Sequence, residues 1–142
     1  MKWIVQSELE LAKIVPDLIS NLPSSGVVLI DGQMGAGKTT TVRNILASIS
    51  NNPFQGSPTF SLVNEYTSNI GQLIYHFDLY RIDHPSELQQ IGIEEYFEND
   101  SLSFIEWPEK CLEFLPNDKI WMYISVGKNN ERIIDLKNEY RS

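Results

Sequence analysis

With 142 residues, 42% apolar and 21% charged, the chain reads as a single domain over residues 1–142, large enough for its own core and without an apolar run of membrane-spanning length. A net charge of −8 opposes the phosphate backbone of a nucleic acid, so direct high-affinity nucleic-acid binding is not expected, whereas a basic protein partner is compatible. Cys111 is the only cysteine, which excludes an internal disulfide; together with an acidic start lacking a secretory apolar region, this predicts a cytoplasmic protein.

Lys2 to Val5 reads as a short strand. Ser7 then offers an N-cap with Glu8 and Glu10 behind it, and Leu11, Ile14, Val15, Leu18, Ile19 and Leu22 recur at helical spacing. Pro23 to Gly26 stops that helix. Val27 to Ile30 is an apolar run ending in a glycine-rich turn, after which Val42, Ile45, Leu46 and Ile49 mark a second helix closed by Asn51-Asn52-Pro53. Phe54 to Thr59 is expected as an ordered loop. Phe60 to Tyr66 and Leu73 to Asp78 are expected as strands joined so tightly that they must be antiparallel. Pro85–Gln90 and Ile93–Glu98 read as short helical pieces around Gly92, Leu102–Ile105 as a buried strand ending at Glu106, and Pro108–Leu115 as a short helix. Ile120–Val126 and Arg132–Leu136 form a closing hairpin across Gly127 to Asn130. The fold class is therefore α/β: a mixed sheet, parallel plus antiparallel, flanked by helices.

The glycine-rich turn carries the chemistry. Gly32, Gly37, Lys38 and Thr39 complete the spacing G-x-x-x-x-G-K-[ST] between a strand and a helix, the phosphate-loop pattern. Glycines let successive N–H groups curl inward around phosphate oxygens, and the positive end of the following helix dipole points at the same place. The expected cradle comprises Gly32, Gly35, Ala36, Gly37, Lys38, Thr39 and Thr40. Lys38 would reach the outer phosphates, and the Thr39 hydroxyl would take one position on Mg²⁺. ATP is the expected nucleotide, because no N-K-x-D segment is present to read guanine.

Such a loop needs an acid for Mg²⁺, held at the carboxyl end of a neighbouring strand. Asp78, ending LIYHFD, and Glu106, ending LSFIE, both have that form, and the spacing does not say which one touches the ion. Thr59, with Ser57 nearby, lies in the loop where phosphate-loop switches sense the terminal phosphate. His76, alternating with Tyr75 and Phe77, reads as a core or edge histidine before a catalytic base. Arg81 could neutralise phosphate or pair with Asp83 or Glu87, and Trp107 could flank the nucleotide.

Taken together, GQMGAGKTT, SPTFSLVNEY, YHFDLYR and FIEWPEK, in this order and at these separations, resemble the TsaE (YjeE) family of bacterial ATPases across essentially the whole chain. The resemblance implies an ATPase that works with Mg²⁺ in making threonylcarbamoyladenosine beside the tRNA anticodon. It would turn over weakly alone and faster with the partner proteins TsaB and TsaD, as an ATP-driven cycle factor. By matching positions, Thr39 and Glu106 would sit at the metal with Asp78 nearby, Thr59 in a switch-like loop and Trp107 beside the site. Contacts from both chain ends would fall near Ser7 and Arg132. Gln33 and Met34 stand where the family usually has Asp and Leu, at positions where backbone amides do the binding.

Two other uses of the loop remain open: a small-molecule kinase, and a binding module that holds ATP without hydrolysing it. Arg43, Arg81, Arg132 and Arg141 form no arginine-rich segment of the kinase-lid kind, which counts against the first. Slow turnover alone would not decide for the second.

Overall fold

The computed structural model describes residues 1–140. Seven strands form one sheet: β1 (Lys2–Val5), β2 (Gly26–Asp31), β3 (Val63–Thr67), β4 (Leu73–Asp78), β5 (Leu102–Glu106), β6 (Lys119–Val126) and β7 (Arg132–Lys137). Their spatial order is β1-β7-β6-β2-β5-β4-β3. The four central strands β6, β2, β5 and β4 run parallel, while β3 at one edge and β7 and β1 at the other are antiparallel to their neighbours. The mixed α/β sheet expected from the sequence is thus present, with the phosphate-loop strand at its centre.

That position explains the composition of β2. Both of its faces are covered, so Val27 to Ile30 are all fully buried and the strand reads as a continuous apolar run. Val28 and Ile30 face one core with Phe104 and Met122, under α1 (Glu8–Ser20) and α2 (Lys38–Ile49). Val27 and Leu29 face the other with Phe77, Ile105 and Trp121. This second core is closed by Leu88 of α3 (Ser86–Gln90), Ile93 of α4 (Ile93–Tyr96), Cys111 and Phe114.

Helix α1 begins as expected: Ser7 is extended, and its Oγ accepts the Glu10 N–H at 3.1 Å. The helix runs through Pro16 and keeps Leu11, Val15 and Leu18 buried. Its stability therefore comes from the apolar face docked on the sheet, since a proline inside a helix removes a backbone hydrogen bond.

Two expectations are corrected. The third strand starts at Val63, not Phe60, because Pro58 to Leu62 folds into a turn closed by Leu62 N–H to the Pro58 carbonyl, with Leu62 at φ 71°. Phe60 is 81% exposed and lies under the Arg81 guanidinium at 4.1 Å, so its apolar character signals no strand burial. Pro108 to Leu115 is not one helix either. Two 3₁₀ turns, Pro108–Lys110 and Leu112–Phe114, meet at Cys111, whose φ of −129° interrupts them. Cys111 itself is packing, as expected: it is buried, and burial pushes its thiol up to about 12.

Candidate functional site

The site lies where the central parallel strands end. Asp31 closes β2, and the chain turns from Gly32 through Gly37 into α2. Gly32 is required by proximity: a Cβ there would sit 2.5 Å from the Ile124 carbonyl of β6. Gly35 and Gly37 hold φ of 83° and 105°, where L side chains are strained. The Gln33 carbonyl accepts the Ala36 N–H at 3.0 Å, so Gln33 contributes to the turn through its backbone. Gly37 is the N-cap of α2 and brings no side-chain cap, which leaves the first N–H groups of the helix directed at a ligand.

Lys38 is buried and its ammonium donates to the Gly32 carbonyl while lying 3.5 Å from the Trp107 ring centroid. Burial lowers its affinity for the proton below the ordinary lysine value, and the carboxylates of Glu106, Glu109, Asp31 and Asp78 push in the opposite direction. The left-handed backbone of Trp107, φ 61°, is what turns its ring back over the lysine.

The two strand-end acids separate in role by position. Glu106 is in register with Ile30 of β2, immediately beside the loop, whereas Asp78 is one strand further out, in register with Glu106. The Thr39 hydroxyl donates to the Glu106 carboxylate, 2.8 and 3.0 Å from its two oxygens. Asp78 instead holds the loop before β3: its Oδ2 accepts from Ser57 Oγ at 2.5 Å and Thr59 Oγ1 at 2.9 Å, and its Oδ1 accepts the Tyr80 N–H at 3.0 Å. A cleft of about 380 Å³ opens onto Lys38, Thr39, Thr59, Asp78, Glu106 and Trp107 together.

Oxygen donors from one hydroxyl and one or two carboxylates are what Mg²⁺ takes from a protein when a phosphate chain supplies the rest. Thr39 and Glu106, already within hydrogen-bond distance, fit that demand. Among the described residues no cluster of three His, Cys, Asp or Glu side chains could hold a metal by itself.

The segment entering α1 and the hairpin between β6 and β7 reach the back of the loop. Ser7, Gly37, Thr40, Asn130 and Arg132 line a second cleft of about 280 Å³. Arg132 donates through Nε to the Ala36 carbonyl at 2.9 Å and through a terminal nitrogen to Gly35 at 3.4 Å, so it braces the loop. Arg81 lies over Phe60, and among the described residues it makes no ion pair with Asp83 or Glu87. Glu87 instead caps the backbone N–H groups of Asp83 and His84, both at 2.9 Å.

Sequence reasoning undervalued His76. It faces away from Tyr75 and Phe77 as the alternation required, but its Nε2 lies 2.6 Å from Glu106 Oε2, with both side chains buried. The available signal was period two, which puts His76 on the same face of β4 as Asp78.

Residues 5–134 match the family model described as "Threonylcarbamoyl adenosine biosynthesis protein TsaE". The tRNA threonylcarbamoyladenosine biosynthesis protein TsaE of Haemophilus influenzae is 45% identical over 111 residues, covering 75% of this chain and 69% of that protein. The Bacillus subtilis protein of the same name is 31% identical over 135 residues, covering 94% and 83%. The crystal structure of Bacillus subtilis YdiB superposes with a TM-score of 0.74 at 26% identity, covering 94% of this chain and 82% of that one.

Proposed function

Given that the chain belongs to the TsaE family of tRNA threonylcarbamoyladenosine biosynthesis proteins, we propose that it is a Mg²⁺-dependent ATPase acting as a cycle factor on the TsaB–TsaD pair. The observation that carries this reading is the Thr39–Glu106 hydrogen bond at the mouth of the phosphate loop. It joins the residue type that ligates Mg²⁺ in such loops to a buried strand-end carboxylate.

In this mechanism the backbone N–H groups from Gly35 to Thr40 hold the phosphate chain, and Lys38 leaves the Gly32 carbonyl to meet the outer phosphates. Thr39 and Glu106 would hold Mg²⁺, which would supply neutralisation of phosphate charge. Asp78 orders Ser57 and Thr59, so that loop stands beside the terminal phosphate and can respond to its loss. Ser7 and Arg132 border the nucleoside end. The acidic surface suits docking on proteins better than on RNA. Met34 and Tyr80, both exposed, rim the same cleft, where a partner could complete the site. A cytoplasmic location fits this role, and no described helix is long and apolar enough to cross a membrane.

The test is phosphate release from ATP with Mg²⁺, measured with and without purified TsaB and TsaD. Slow release that rises with the pair supports the proposal. Phosphorylated metabolite in place of free phosphate would establish a kinase, and binding without turnover under both conditions would establish a non-hydrolysing module.

A further inference from the structure

His76 is fully buried in β4, one of two histidines in the chain, and the mechanism above leaves it without a task. Its Nε2 meets Glu106 Oε2 at 2.6 Å across neighbouring parallel strands, while its Nδ1 is buried with no hydrogen-bond partner among the described residues. A proton on Nδ1 would therefore be stranded away from any acceptor, whereas one on Nε2 is donated to a carboxylate. The ring plane is fixed as well: Phe54 stacks on it at 6.1 Å and 26°, and Phe54 stacks in turn on Tyr66 at 6.5 Å.

Glu106 consequently receives donors from two directions. His76 engages Oε2, and the Thr39 hydroxyl lies 2.8 Å from Oε1 and 3.0 Å from Oε2. A carboxylate held on one oxygen by a buried donor loses its freedom to rotate, and the other oxygen is left to face the loop. We infer that His76 is a positioning residue: as the Nε2–H tautomer it clamps Glu106 Oε2 and thereby presents Oε1, beside Thr39, to the metal–phosphate side of the cleft. The inference rests on the nucleotide-hydrolysis reading for its purpose, but the clamp itself is a property of the chain alone.

Two measurements decide it. Long-range ¹H–¹⁵N correlation on the nucleotide-free protein reads the tautomer, with His84 as the second histidine signal; a protonated Nε2 and bare Nδ1 are expected, and a protonated Nδ1 would overturn the inference. Calorimetry then compares ATP affinity with and without Mg²⁺ in His76→Gln, whose amide N–H reaches the same place, and in His76→Leu. His76→Leu should lose about tenfold or more of the Mg²⁺-dependent gain while keeping its Mg²⁺-free affinity, and His76→Gln should restore most of it. In hydrolysis assays at saturating ATP and Mg²⁺, kcat should also fall in His76→Leu and recover in His76→Gln. A folded His76→Leu with the full Mg²⁺ gain would refute the clamp. If wild type itself shows no Mg²⁺-dependent ATP binding, it is the nucleotide reading that fails, and the tautomer measurement alone judges His76.

Discussion

Glu106 gathers the site at the scale of single residues. It is buried, accepts from Thr39, has His76 Nε2 2.6 Å from Oε2, and lies beside the loop rather than one strand away. Glu106→Gln keeps the shape and removes the charge, so it should reduce kcat for ATP by about a hundredfold and lose about tenfold of the Mg²⁺-dependent gain in ATP affinity, while leaving the Mg²⁺-free affinity within a few-fold. Equal loss in affinity and turnover, measured by calorimetry and phosphate release, would instead make Glu106 a binding residue only. Lys38→Ala removes the point charge at the outer phosphates, and ATP affinity should fall at least tenfold, about 1.4 kcal/mol. Cys111 gives a pH signature. Below its ordinary value of 9.0 the thiol is protonated in both folded and unfolded chains, so it adds no pH dependence. Above that, the unfolded chain ionises first while burial holds the folded thiol to about 12, so stability falls as pH rises. The fall is at most about 1.4 kcal/mol per pH unit. Denaturant titrations of wild type and Cys111→Ala from pH 8 to 11 should show the extra slope in wild type alone.

At the scale of elements, the contact between the loop and β6 sets how the cradle is shaped. Gly32→Ala places a methyl group against the Ile124 carbonyl, a backbone atom that cannot swing aside. It should cost about 1–3 kcal/mol in unfolding free energy and weaken ATP binding as the loop shifts; an unchanged denaturant midpoint would show that the approach is looser than drawn. Much of this level was legible in the sequence, because it depends on short-range signals. The apolar run of β2, the glycine spacing and the acids ending LIYHFD and LSFIE each lie within a few residues of one another. What stayed hidden depends on pairing across the sheet. His76 and Glu106 are 30 residues apart and meet only because β4 and β5 are adjacent and parallel. The same holds for Arg132, whose contact with Ala36 spans 96 residues. The start of β3 was misread for a different reason: Phe60 and Leu62 resemble strand residues, but the turn from Pro58 and the Arg81 contact use them outside the sheet.

For the whole molecule, the arrangement is a sheet that converges the ends of its parallel strands on one loop, with the segment around Ser7 and the β6–β7 hairpin folded against the loop's back. In the proposed function, the negative surface and the exposed Met34 and Tyr80 at the cleft rim, with exposed Phe60 nearby in the chain, would face a partner protein. Asp78 ties Ser57 and Thr59 to the sheet immediately before exposed Phe60, and in the proposed function that tie would let the loop sense the nucleotide. A partner that grips that loop would therefore alter the surroundings of the terminal phosphate, and hydrolysis would depend on docking. The most direct test is a single steady-state measurement: phosphate release from ATP and Mg²⁺ by the wild-type chain, with the TsaB–TsaD pair added in increasing amounts. Turnover that climbs to saturation with the pair, and is cut about a hundredfold by Glu106→Gln at every concentration, is the predicted result. A rate that ignores the pair, or that Glu106→Gln leaves within a few-fold, would contradict it.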